Sequence, residues 1–244
     1  MAYINVRYFS DVLCMNTEAS VIIPRWSGPN KCYKCLYLLH GLGGDAMSWM
    51  RLSSIERFAN KYGMCVVMPK AEKSYYCNMK HGLKFYDHIA KELPEVMCSM
   101  FNISPKREDS YIAGLSMGGY GALKIALREC DRFCAGAGLS PCGDIKTLGN
   151  GPDRDLTPIF GVDMVIPDED DALYIAEKQK DNPLKPKLYM AIGTEDFLYE
   201  NANNLRRKLD ECGYDFTYRE GKGAHDWDFW DEYIQYVFEW IANI

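Results

Sequence analysis

A serine stands between two glycines at residues 114–118, Gly114-Leu115-Ser116-Met117-Gly118, after the apolar run Tyr111-Ile112-Ala113 and before the helix-like stretch 120–127. In that setting G-x-S-x-G reads as a nucleophile on a sharp strand-to-helix turn. The glycines meet a steric demand, because a Cβ two residues before or after the serine would collide across the turn. The following helix aims its unpaired N–H groups at any oxyanion that forms on Ser116. The rival meaning, a glycine-rich turn without chemistry, loses weight because a strand precedes the pentapeptide and a helix follows it.

A serine nucleophile needs a base, and the chain has four histidines. On this scaffold the partners follow the serine in chain order, first an acid and then a histidine. His40, His81 and His88 all precede Ser116, which leaves His225, in the loop Gly221-Lys-Gly-Ala-His225 after the last predicted strand. There an imidazole can take the serine proton and return it to a leaving group. For the acid, the apolar run Leu188–Ile192 ends in Gly193-Thr-Glu-Asp, so Glu195 and Asp196 share the loop that faces the crevice. The residues alone leave the choice between them open. An oxyanion would be held by two backbone N–H groups, that of Met117 after the nucleophile and that of Leu42 in the run His40-Gly41-Leu42-Gly43-Gly44. This run has neither the G-K-[ST] ending of a phosphate loop nor the G-x-G-x-x-G spacing, so no nucleotide or other cofactor is expected. Trp49, Tyr75, Tyr76 and Trp227 fall on loops near the crevice and are candidates for an aromatic acyl pocket, with core packing the competing explanation for each.

These residues need a rigid frame. Val6–Phe9, Ala19–Ile23, Leu36–Leu39, Cys65–Met68, 110–115, Cys134–Leu139, Leu188–Ile192 and Phe216–Arg219 read as strands. Helices are expected over Ser48–Lys61, over Leu83–Met100 with a bend or break at Pro94, from the nucleophile turn to Glu129, and over Asn201–Cys212 and Phe229–Ile241. The last six strands alternate with helices or loops. That rhythm predicts an α/β fold with an eight-stranded, mostly parallel sheet covered on both faces. At 244 residues one large domain is expected. The segment 141–186 interrupts the rhythm with several Pro and Gly and a single clear helix near 169–180, and reads as a small cap over the crevice. Its acidic run Asp168–Asp171 reads as a helix N-terminus rather than a site.

Composition narrows the class. A net charge of −6 lacks the basic footprint that nucleic acid or an anionic membrane demands, so a neutral or modestly charged small molecule is the expected partner. No stretch reaches the roughly 18 apolar residues of a membrane span, and the N-terminal segment has no charged region followed by a long apolar one. A cytoplasmic location is the expectation, and a homo-oligomer is compatible with it. The ten cysteines are scattered, many inside apolar segments, which favours reduced, buried thiols. Cys32-Tyr-Lys-Cys35 leads into a strand and has no second ligand pair, so neither a metal nor a redox site is expected.

Nearly the whole chain resembles the esterase family related to esterase D and the S-formylglutathione hydrolases, and most closely its tributyrin-esterase branch. The resemblance rests on His40–Gly44 with Ser48-Trp49, on 106–109 before 113–123, on Gly193–Tyr199, and on 225–230. It implies an α/β-hydrolase fold, a triad of Ser116, Asp196 and His225, and hydrolysis of short-chain acyl esters, with acetyl or feruloyl groups on carbohydrates among the substrates of relatives. Many relatives have Asn where this chain has Asp45. A thioesterase of the S-formylglutathione hydrolase kind would use the same machinery, and an idle hydrolase fold used only for binding is the alternative outside catalysis.

Overall fold

The structure is a computed structural model that describes residues 1–25, 32–151 and 154–244. One sheet of eight strands runs in the order β1-β2-β4-β3-β5-β6-β7-β8. Its strands are β1 (Ala2–Ser10), β2 (Met15–Ile23), β3 (Cys35–Leu39), β4 (Cys65–Pro69), β5 (Ser110–Leu115), β6 (Ala135–Leu139), β7 (Lys187–Gly193) and β8 (Phe216–Gly221). β1 pairs antiparallel with β2, and β2 antiparallel with β4. Every other pairing is parallel, as the alternation of strands and helices predicts.

Strands β3 to β6 are buried at every position. Their continuous apolar character follows from helices on both faces, since a strand covered twice has no solvent side to alternate with. Cys35, Tyr37 and Leu39 of β3 enter one core, with α5 (Met117–Arg128), α8 (Ala172–Lys178) and α9 (Tyr199–Glu211). Leu36 and Leu38 enter the other, with α2 (Ile55–Tyr62) and α10 (Trp227–Ala242).

Before β5 the helices depart from the sequence reading in two places. The run expected over Ser48–Lys61 divides into α1 (Ser48–Leu52) and α2, with Ser53 extended. The Asp231 carboxylate of α10 accepts from Ser54 N at 2.6 Å, taking a backbone donor that a continuous helix would have used internally. The run near Pro94 continues instead of breaking: α3 (Phe85–Asp87) passes through a π-helical turn, His88–Glu92, into α4 (Leu93–Met100). Leu93 N donates to His88 O, five residues back, so one wide turn absorbs the proline that cannot donate.

Segment 141–186, whose residues 152–153 lie outside the described ones, holds more than the single helix expected near 169–180: it contains α6 (Ile145–Leu148), α7 (Thr157–Phe160), a 3₁₀ turn at Asp168–Asp170 and α8. Asp171 caps α8, accepting from Leu173 N and Tyr174 N, as expected of an acidic helix start. Asp170 does something else. It points into the core and meets the fully buried Lys124 of α5 at 2.7 Å, where the ammonium also contacts Cys77 Sγ at 3.0 Å and lies over the Tyr86 and Tyr120 rings. A sequence-level reading of the acidic run has no means of separating these two neighbours. Cys35 is buried in β3 while Cys32 is exposed beside Asn102.

The Lys124–Asp170 pair ties α5, the helix that follows Ser116, to segment 141–186. Asp170→Ala strands the Lys124 charge in the core and is expected to cost about 3–5 kcal/mol of stability, read from the urea midpoint. A loss below about 1 kcal/mol would mean that the ammonium finds solvent or another partner.

Candidate active site

Ser116 has φ 53° and ψ −117°, a conformation costly for any residue with a Cβ. It sits between the end of β5 and the first turn of α5. The turn is held from outside, by Ser116 N donating to Leu139 O at 2.8 Å and by Tyr120 N donating to Ser116 O at 3.0 Å. Its tightness also explains the two glycines. A Cβ on Gly118 would lie 2.6 Å from both the His40 and the Leu39 carbonyl oxygens, and one on Gly114 would strike the Gly118 carbonyl.

The loops after β7 and β8 are laced together by Thr194 N to Gly221 O and Glu195 N to Gly223 O, each 2.9 Å. This brings His225 over the serine: its Nε2 lies 2.8 Å from Ser116 Oγ and its Nδ1 lies 2.9 and 3.0 Å from the two Asp196 carboxylate oxygens. With Nδ1–H donating to the carboxylate, Nε2 is left to accept the serine proton. Glu195 is exposed and outside this chain of hydrogen bonds. Burial alone would raise the Asp196 carboxyl, but hydrogen bonds from His225, Leu198 N–H and Ser140 outweigh it and hold it below the usual carboxylate range. A carboxyl depressed on folding contributes stability above its unfolded-state pKa and loses it as pH falls through the folded value.

Ser140 was not among the residues singled out from sequence. It follows β6, has φ 46°, and accepts from Trp230 Nε1 at 3.0 Å, which leaves its own hydroxyl proton to Asp196. The Trp230 ring stands edge-on to His225 at 5.0 Å, and the exposed Phe197 ring lies 4.6 Å from the imidazole on the loop after β7. A serine ending a glycine-rich strand was the only available signal for Ser140.

Leu42 and Met117 both line the cavity beside Ser116, and neither backbone N–H donates to a protein acceptor among the described residues. His40 controls the first of them. Its Nε2 accepts from Ala71 N at 3.0 Å, so the proton resides on Nδ1, which donates to Gly41 O at 2.7 Å. Gly44 N donates to the same oxygen at 3.0 Å. In a planar trans peptide the C=O and N–H point opposite ways, so anchoring Gly41 O turns Leu42 N–H toward the cavity. Burial lowers the pKa of His40, which keeps the ring neutral and this tautomer in place.

The cavity measures about 540 Å³. Of the four candidate aromatic residues, Tyr75 and Trp227 line it. Trp49 and Tyr76 lie behind the wall, for a physical reason: each polar atom is spent on backbone, Trp49 Nε1 on Leu39 O and Tyr76 OH on His40 O, and both rings are enclosed. Trp49 instead supports Trp227, edge-on at 5.1 Å. Segment 141–186 adds Cys142, Leu148, Gly151 and Arg154 to the wall. Asp45 lines the mouth, its carboxylate accepting from Met47 N and Ser48 Oγ. Among the described residues no group of three or more His, Cys, Asp or Glu could hold a metal, and no helix is long and apolar enough to cross a membrane.

A mostly parallel sheet flanked by helices, with a serine on the turn after β5 and a histidine and an acid on later loops, defines the α/β-hydrolase class. The chain belongs to the "Putative esterase" family, whose model matches residues 10–236. An acetyl esterase of Caldicellulosiruptor saccharolyticus is 33% identical, with 100% of this chain and 99% of that protein covered. Among solved structures, the fluorophosphonate-binding serine hydrolase F of Staphylococcus aureus superposes with a TM-score of 0.91 at 33% identity, covering 100% of this chain and 99% of that one. An S-formylglutathione hydrolase of the same organism gives 0.90 at 33% identity, with 99% and 98% covered. The chain is a serine ester hydrolase.

His40→Ala frees the Gly41–Leu42 peptide without touching the reacting atoms. Its kcat is expected to fall by about 10²–10³, the cost of losing one oxyanion donor, with little change in KM. An unchanged kcat would show that the Leu42 N–H holds its direction without the imidazole.

Proposed function

We propose that the chain hydrolyses short-chain acyl esters through an acyl-enzyme on Ser116. His225 takes the Ser116 proton as Oγ attacks the ester carbonyl, and the Met117 and Leu42 N–H groups receive the negative charge that develops on its oxygen. The imidazolium, held by Asp196, then protonates the departing alcohol. A water activated by His225 repeats the sequence in reverse and releases the acid. The observation that carries this reading is the 2.8 Å contact from His225 Nε2 to Ser116 Oγ on the floor of a cavity that also presents two unengaged N–H groups. Tyr75 and Trp227 form the aromatic part of the pocket, and segment 141–186 acts as a small cap on a single domain. The many buried thiols favour a reducing, cytoplasmic setting.

The acetyl esterase relative supports acetyl as one acyl group. A thioester substrate is the second reading, favoured by the equally similar S-formylglutathione hydrolase. Turnover of acetyl esters against glutathione thioesters separates the two. A binding protein without chemistry would fail to take a covalent fluorophosphonate label on Ser116.

Ser116→Ala is expected to fold normally and lose on the order of 10⁶ in kcat. Asp196→Asn is expected to cost about 10⁴ by favouring the wrong imidazole tautomer, whereas Glu195→Gln costs little. Damage from the Glu195 change instead would reverse the assignment. Acyl length supplies an independent check, because each methylene gains about 0.8 kcal/mol only while apolar wall remains to cover. For p-nitrophenyl esters kcat/KM is expected to rise from acetyl to butyryl and fall steeply by octanoyl, without activation at a lipid–water interface. A maximum at decanoyl would mean that segment 141–186 opens like a lipase lid.

A further inference from the structure

The cavity wall contains two guanidinium groups, Arg51 and Arg154, against the single carboxylate of Asp45. That local balance opposes the net charge of −6 on the whole chain. Arg51 is exposed on α1 at the mouth, whereas Arg154 is half-buried and built in. Its Nε donates to Gly149 O at 2.8 Å and its Nη2 to Leu148 O at 3.1 Å. Its backbone closes a two-way bridge with Gly151, at 2.9 and 3.1 Å. These bonds orient the guanidinium but consume only part of its five donors. Among the described residues no carboxylate forms an ion pair with it.

Beside Arg154 stands the Tyr75 hydroxyl. Tyr75 and Tyr76 both have positive φ, 51° and 53°, a strained pair of left-handed residues that persists only where the surroundings enforce it. Tyr76 supplies the anchor through its hydroxyl on His40 O, and Tyr75 is thereby turned to the cavity. Burial raises the Tyr75 phenol, so at neutral pH it is an O–H donor. The wall thus divides into two groups. Phe197 and Trp230 surround His225, where the leaving oxygen must collect its proton. Tyr75, Cys142 and Arg154 form the other.

We propose that Arg154, with the Tyr75 hydroxyl, is a carboxylate-recognising end of the acyl pocket, so that the enzyme accepts monoesters of short dicarboxylic acids as well as neutral short acyl esters. A planar guanidinium matches a carboxylate with two parallel hydrogen bonds. A neutral acyl group of the same size leaves those donors without an acceptor, and the same polar end limits the length of an apolar chain.

The proposal rests on the serine-ester reading and is tested with an isosteric pair, monoethyl succinate and ethyl 4-methylpentanoate, whose acyl groups differ by a carboxylate in place of an isopropyl. The wild-type enzyme is expected to hydrolyse the succinate ester with a kcat/KM at least equal to that for the neutral ester. Arg154→Met is expected to lower the succinate-to-neutral ratio by about 10- to 100-fold, the scale of one hydrogen bond to a charged group. Arg154→Lys should retain part of that ratio, and Arg51→Met, which removes only an exposed charge at the mouth, should lower it far less than Arg154→Met does. The proposal is overturned if the wild type discriminates strongly against the succinate ester. Equal loss on both esters in Arg154→Met also overturns it, because Arg154 then only braces the end of α6. Loss of the ratio through Arg51→Met instead of Arg154→Met would place the recognition elsewhere and overturn it too. Failure to hydrolyse either ester, together with no fluorophosphonate label on Ser116, would instead refute the esterase reading itself.

Discussion

The site depends on how closely the start of α5 can approach the end of β3. With no side chain at Gly118, the first turn of the helix lies against the carbonyls of Leu39 and His40, where even a methyl group would stand 2.6 Å from two oxygens. That approach sets Met117 N–H beside the loop that carries Leu42 and leaves Ser116 at the crest of a strained turn. Relaxing the turn would move the Ser116 hydroxyl away from both N–H groups at once. The strain at Ser116 is therefore offset by the packing of α5, which is buried along nearly its whole length.

Around this contact the parallel sheet delivers its loops to one edge. β3, β5, β6 and β7 are adjacent in the sheet and all end there, so the residues that follow them, His40, Ser116, Ser140 and Asp196, become neighbours although they are far apart in the chain. Each loop is then held by hydrogen bonds that reach across to another. His40 accepts from Ala71 N–H, Trp230 donates to Ser140, and the loops after β7 and β8 are laced backbone to backbone. The result is a preorganised set of donors and acceptors, in which little has to rearrange when charge develops on a bound ester.

Segment 141–186 adds what the sheet cannot, a wall with its own polarity. Its connection to the frame is electrostatic as well as apolar, because Asp170 reaches down to Lys124 between two tyrosine rings. Its contribution to the cavity includes a guanidinium held by backbone carbonyls, beside Cys142, Leu148 and Gly151. Ser116, Asp196 and His225 thus stand on loops that the sheet delivers, while part of the cavity wall beside them comes from segment 141–186.

Much of this was legible in the residues, because the strand-to-helix serine turn, the glycine-rich loop and the chain order of serine, acid and histidine are local patterns set by backbone geometry. Apolar runs likewise marked β3 to β6, since burial on both faces requires them. Other features depended on contacts between segments distant in the chain. Asp196 and Glu195 are equivalent by position, and only the orientation of the loop after β7 gives His225 to one of them. Trp49 and Tyr76 read as pocket residues until the backbone carbonyls of Leu39 and His40 claim their polar atoms and turn the rings inward. Ser140 carried only the signal of a serine ending a glycine-rich strand, and its partners Trp230 and Asp196 come from distant segments; nothing in the spacing marked Phe197 beside His225 or Arg154 in the cavity wall. The sequence by itself determined the tight serine turn and the glycine-rich loop, whose demands on φ, ψ and missing side chains are local; the tertiary structure decided which acid meets His225 and what lines the pocket, since a cavity is the space that remains after distant segments have packed.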